Sequence, residues 1–100
     1  MPTARLRFAR AAEADLERIE AEGFERFGVH QTVDYIEGLW DVFELIAASP
    51  RLAPLRRDLG WPVRIHPWRA HLIVYSEDNN GVTIRRILYG RQDVRAALAQ

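Results

Sequence analysis

The stretch "AHLIVYSEDNNGVTIRRILY", residues 70–89, constrains the fold of this chain more than any other. Two apolar, β-branched runs flank a short polar turn, and that pattern makes a β-hairpin. "AHLIVYS" (70–76) is almost continuous in apolar residues, as expected of a central strand buried on both faces. "EDNNG" supplies the turn, with Asn80-Gly81 suited to positive backbone angles. "VTIRRILY" (82–89) is the returning strand. If it is regular, Val82, Ile84, Arg86 and Leu88 share one face, and Thr83, Arg85, Ile87 and Tyr89 the other. Arg86 and Tyr89 then point opposite ways unless a bulge intervenes.

The N-terminal half carries a different period. "ARLRF" (4–8) alternates and predicts a short strand. In "ARAAEADLERIEAEGFERFG", Ala12, Leu16, Ile19, Gly23 and Phe27 recur at helical spacing among charged residues. That helix ends near Gly28; Gly23 either admits a close neighbour or breaks the helix. A second helix covers Gln31 to Ala48, with a stripe of Val33, Ile36, Trp40, Phe43 and Ala47, widened by Leu39 and Ile46. Few residues separate the two helices, so they form an antiparallel hairpin. Ser49-Pro50 stops the second helix, because Pro disfavours helical geometry in the residue before it. "RLAPLRRDLGWP" (51–62) is expected to be loop. "VRIHPW" (63–68) is a short strand that Pro67 confines to an edge or a bulge. Asp93 is suited to cap a final helix running to Leu98. The expectation is one α+β domain over residues 1–100. Its order is β-α-α-β-β-β plus a C-terminal helix, with the helical hairpin packed on a small, mostly antiparallel sheet.

Composition narrows the chemistry. One hundred residues make one domain, and 48% apolar content supplies a core. Cysteine is absent, which excludes disulfides and thiolate metal sites. No signal-peptide run or membrane-length segment is visible, which points to a soluble, cytoplasmic chain with no membrane contact. The net charge is zero but unevenly placed. Residues 1–50 hold five Arg and ten acids; residues 51–100 hold nine Arg and four acids. All 14 basic residues are Arg, a planar fork for carboxylates and phosphates whose pKa is too high for proton transfer near neutral pH. His30, His66 and His71 lack metal-ligand spacing. Ser49 and Ser76 lack a nucleophile context, no Gly-rich loop cradles phosphate, and the helical carboxylates form a solvated face. Metal-independent RNA cleavage needs a proton acceptor and a proton donor beside cations. The residues available for it are Arg86 with His71 or Tyr89.

"RFARAAEADLERI", "ELIAASPRL" and "HLIVYSEDNNGVTIRRILYGRQDV", in this order, resemble the ParE branch of the RelE/ParE toxin superfamily. The pieces that carry the resemblance are Ala12, Glu13, Asp15 and Leu16, then Ser49-Pro50-Arg51, then Gly90-Arg91-x-Asp93. The RelE branch cuts mRNA on the ribosome, using Lys, Arg and a C-terminal Tyr. Matched on Gly90, that Tyr position falls near Leu98, which cannot exchange a proton, and this chain has no Lys. The resemblance therefore implies the ParE action: a toxin without cofactor or active site that poisons DNA gyrase.

The same resemblance implies a ParD-like antitoxin. Its C-terminal segment wraps the toxin in a hetero-oligomer such as a heterotetramer, and its ribbon-helix-helix dimer holds the operator DNA. An apolar groove beside arginines suits such a partner. The expected antitoxin surface is Arg57, Trp61, Arg64, Trp68, Arg69, Leu72, Val74 and Arg86. The expected contact with the toxic target is Arg91, Asp93 and Arg95. The alternatives are an mRNA-cleaving toxin of the same fold, or a module that keeps only antitoxin binding.

Overall fold

The computed structural model describes residues 5–99; Ala4 of the first expected strand lies outside them. Strand β1 is Leu6–Phe8 and α1 is Arg10–Ala48. A 3-10 turn follows at Pro50–Leu52, then β2 (Leu55–Arg56), β3 (Val63–Trp68), β4 (His71–Asp78), β5 (Gly81–Tyr89) and α2 (Val94–Leu98). The sheet order is β1-β5-β4-β3-β2. Strand β1 runs parallel to β5, and every other pair is antiparallel. The nearly continuous apolar run of β4 thus occupies the centre of the sheet.

Segment α1 is a hairpin and not one rod. Gly28 sits at φ 83° and ψ 172°, a backbone state that suits glycine because it has no Cβ. The chain reverses there, and the two arms meet. A Cβ on Gly23 would lie 2.8 Å from the side chain of Thr32. Gly23 therefore admits a close neighbour and does not break the helix. The helical arms resume directly after Gly28, earlier than the expected Gln31.

The buried face of the second arm differs from the expected stripe. Leu39, Val42, Phe43, Ile46 and Ala47 are buried, while Val33 and Trp40 are exposed. The stripe is centred on the residues expected only to widen it. Trp40 still lies 5.3 Å from Phe8 and 5.4 Å from Phe43, ring to ring. Around the reversal Phe24, Phe27 and Val29 remain exposed.

Strand β5 departs from regular alternation. Tyr75 pairs with Ile84 and Val74 with Arg86, so Arg85 is the extra residue of a bulge. After the bulge the faces exchange. Val82, Ile84 and Ile87 all join the core beneath α1, and Leu88 joins a second cluster on the other face. The expected grouping of Val82 and Ile84 with Arg86 and Leu88 is corrected accordingly. Arg86 and Tyr89 remain on opposite faces, because the bulge precedes both.

Two further differences are local. Leu55 and Arg56 pair with Arg64 and Val63, so the expected loop contains a two-residue edge strand. In the β4–β5 turn only Gly81, not Asn80, takes a positive φ (124°). A side chain there would collide with the Arg5 carbonyl, which accepts a hydrogen bond from Val82 N–H at 2.9 Å. Gly81 is the seat of β1.

Candidate functional site

The best-connected polar group is Asp15, 1% exposed on the inner side of the first helical arm. Its carboxylate accepts from Arg86 Nε at 2.7 Å and Arg86 NH2 at 2.9 Å. It also accepts from Ile87 N–H at 2.9 Å and Arg18 NH2 at 3.1 Å. Strand β1 pairs only with 82–84, so beyond Ile84 the β5 edge has no strand neighbour, and Asp15 serves its Ile87 N–H instead. Burial pushes the Asp15 carboxyl up. The hydrogen bonds from Arg86 and Ile87 and the charge of Arg86 outweigh that and hold it below the usual carboxylate range. Arg86 also donates to the Ala97 carbonyl at 3.1 Å. One ion pair thus joins helix, sheet and C-terminal helix. Sequence gave a signal for it: Asp15 interrupts the apolar positions between Ala12 and Ile19, and a buried carboxylate requires donors.

The residues expected to meet an antitoxin do not form one surface. Register puts Arg64 and Trp68 on the α1-facing side of the sheet and Leu72, Val74 and Arg86 on the other. Val74 is 0% exposed and belongs to the second core cluster. Arg64 donates to the Ala53 carbonyl at 2.7 Å and braces the segment before β2. Trp68 packs 4.8 Å from Tyr35, under the Arg69 guanidinium at 4.9 Å. Arg86 is held by Asp15, its side chain 16% exposed. Only Arg57, Trp61 and Arg69 of this set are exposed, with Arg64, Trp68, Leu72 and Arg86 partly so. Val74, Arg64 and Arg86 are therefore structural in this conformation. Their roles were invisible because their partners lie far away in sequence.

The geometry offers a groove instead. It is an open depression of about 360 Å³ between the first turns of α1, β5 and α2, lined by Ala11, Arg18, Trp61, Arg85 and Leu98. Trp61 is half exposed, with the Arg85 guanidinium 5.5 Å from its ring. Arg85 Nε donates to Ser76 Oγ at 2.9 Å, which fixes its position. Arg91 and Arg95 are exposed around the start of α2. Asp93, of the same expected target contact, caps α2 by accepting from Ala96 N–H at 3.2 Å. That helix start is as the sequence implied.

The residues that RNA cleavage would need are divided. His71 and Tyr89 pair across β4 and β5, their rings 4.7 Å apart. Tyr35 O–H lies 2.6 Å from His71 Nδ1, and Tyr89 O–H donates to Glu22 at 3.1 Å. Burial pushes His71 below its ordinary value, helped by the nearby Arg18, against Glu22 and Asp15. Burial pushes Tyr35 up; Tyr89 is raised by burial and by Glu22. Arg86 leaves the sheet from the other face. Among the described residues no three His, Asp or Glu side chains stand close enough to hold a metal ion. No helix there is long and apolar enough to cross a membrane.

Residues 6–94 match the family model described as ParE toxin of type II toxin-antitoxin system, parDE. The chain belongs to the ParE toxin family. It is 31% identical over 94 residues to Toxin ParE3 of Caulobacter vibrioides, covering 91% of each chain. It is 32% identical over 92 residues to Toxin ParE1 of the same organism, covering 92% of this chain and 95% of that one. A solved structure, "Chromosomal ParDE TA system from P. aeruginosa", shares the fold with a TM-score of 0.70 at 17% identity. The match covers 87% of this chain and 96% of that one. The ParE resemblance read from the sequence is thus shown, and so is the α+β fold it implied.

Proposed function

We propose that this ParE-family toxin acts in the cytoplasm by docking, without an active site of its own. Its target on this reading is DNA gyrase, whose cleaved complex with DNA it stabilises. A ParD-like antitoxin neutralises it by covering apolar and arginine-bearing surface, and alone of the two contacts operator DNA. The observation that carries this reading is the fate of Arg86. RNA cleavage needs a cation beside its proton-transfer groups. Here Arg86, the cation expected to serve that chemistry, leaves the face opposite His71 and Tyr89 and is neutralised by Asp15. Arg57, Arg91 and Arg95 are exposed and suit carboxylates or phosphates of a macromolecular partner.

Induction in growing cells tests this, with transcript ends and chromosome breaks mapped together. The expected result is double-strand breaks in the chromosome with transcripts intact. Fragmented mRNA, abolished by His71→Ala or Tyr89→Phe, would replace docking with catalysis. Normal growth with the antitoxin complex intact would leave a binding module only.

A further inference from the structure

Where the end of β1 meets both arms of α1 lies an open depression of about 230 Å³. It shares no lining residue with the arginine-bearing groove beside α2. Its apolar wall is Phe8, Leu16 and Trp40, and Glu13, Glu17 and Glu20 stand beside them. Trp40 is 41% exposed, yet its ring is braced by Phe8 at 5.3 Å and by Phe43 at 5.4 Å. The depression thus offers solvent a tryptophan surface held in place. All three glutamates are exposed. Among the described residues none of them has an ion-pair partner. Arg10 heads the same helical stripe but lies outside the lining. Glu13 is in the first turn of α1, where a carboxylate favours the helix; Glu17 and Glu20 lie beyond it. On the second arm no Lys or Arg occurs from Gln31 to Ala48. Trp40 has exposed Glu37 and Glu44 as its neighbours one turn before and after.

Neither feature helps the isolated chain. Glu13, Glu17 and Glu20 are spaced by four and three residues, and like charges at those spacings destabilise a helix. An exposed tryptophan leaves apolar surface in water. Together the two features complement one chemistry, a cation that lies against the indole and pairs with the carboxylates. We propose that this face of the helical hairpin docks a basic segment of a partner protein. The segment lays an Arg or Lys side chain on Trp40 among Glu13, Glu17 and Glu20. Val33, two turns from Trp40 on the same side of the arm, is also exposed. The apolar strip therefore runs for about 10 Å, a length that suits a peptide rather than a single side chain. The surface is separate from the arginines assigned to the partners above, and it repels nucleic acid.

The test is titration of the folded toxin with an Arg-Gly-Arg-Gly-Arg peptide and with the same peptide carrying citrulline for arginine. Calorimetry gives the affinity, and the Trp40 indole N–H signal in the NMR spectrum gives the place. The expected result is a saturable shift of that signal by the arginine peptide, with the citrulline peptide weaker by about tenfold or more. Trp40→Leu keeps every charge and should lower calorimetric affinity about fivefold. Glu17→Gln with Glu20→Gln changes only exposed side chains, so the toxin stays folded, and should also cost about fivefold. Glu25→Gln with Asp34→Asn removes the same charge elsewhere on the hairpin and should leave the affinity unchanged. An equal loss in that control pair would overturn the proposal, since the attraction would then be diffuse. No saturable binding at millimolar arginine peptide, or equal binding of the citrulline peptide, would overturn it as well. Self-association of the toxin that Glu17→Gln with Glu20→Gln abolishes would give the face to the arginines of a second copy, and would also overturn it.

Discussion

Beneath α1 the sheet buries a continuous core in which Leu39, Phe43, Ile46, Ile73, Tyr75, Ile84 and Ile87 are all fully buried. On its other face the buried set is Val63, Val74, Leu88 and Ala97, covered by α2 and by Leu59. A helix as short as α2 is unstable alone. It is held by the Asp93 cap, by Val94 and Leu98, and by the hydrogen bond from Arg86 to Ala97. The difference separates scaffold from surface. The first face fixes the fold. The second is thinly covered, and Trp61, Arg85, Arg91 and Arg95 stand around its cover, where we propose that a partner docks. Asp15 and Arg86 join the two.

The strongest way to break this division is to cut that joint. Asp15→Ala leaves Arg86 buried without its counter-charge and is expected to cost about 3–5 kcal/mol in denaturant unfolding. Replacing both residues with leucine should cost much less, because no lone charge remains. A cost near zero for Asp15→Ala would show that the faces are not coupled there.

Core truncations compare the faces directly. Phe43→Ala is expected to lose about 3–5 kcal/mol, and Leu88→Ala nearer 2, because thin cover collapses into a cavity more readily. Urea midpoints measure both. Equal losses would erase the contrast in packing.

Acid weakens the first face through two groups of one sign. His71 has a folded-state pKa below 6.5. As pH falls through 6.5 toward that value, the unfolded chain binds a proton that the folded chain refuses, and stability drops. Asp15, lowered from 3.8, adds stability above 3.8 that is lost as pH falls through its folded value. His71→Gln should therefore flatten the decline in urea midpoint just below pH 6.5 and leave the later loss below pH 3.8.

The smallest effect on stability is expected where the effect on action is greatest. Arg91→Ala with Arg95→Ala removes exposed charges, so the unfolding midpoint should not move. Growth arrest should weaken at least tenfold. Undiminished toxicity in the folded double variant would remove this segment from the target contact.

Much of the scaffold was legible because it rests on local rules. The β4–β5 hairpin, the reversal near Gly28 and the Asp93 cap each follow from periodicity or from one residue's conformational preference. What was illegible depends on pairing across the chain. The bulge at Arg85 is set by how β5 meets β4, and it moved Ile87 to the face of Ile84. Strand β2 is two residues long and has no period to detect. The helical stripe was misplaced because Trp40 and Leu39 are equally apolar, and only the sheet decides which is buried. The site suffered more. Arg64 and Arg86 look like any exposed arginine until Ala53 and Asp15 are beside them. Val74 reads as groove or core with equal ease.

The most direct test of docking is a gyrase assay with purified toxin, supercoiled plasmid and ATP, scored for trapped double-strand breaks. The account predicts breaks that accumulate with toxin dose and disappear when a ParD-like antitoxin is added first. A toxin that arrests growth yet traps no breaks and leaves supercoiling unchanged would contradict it, and would return His71 and Tyr89 to consideration as chemistry.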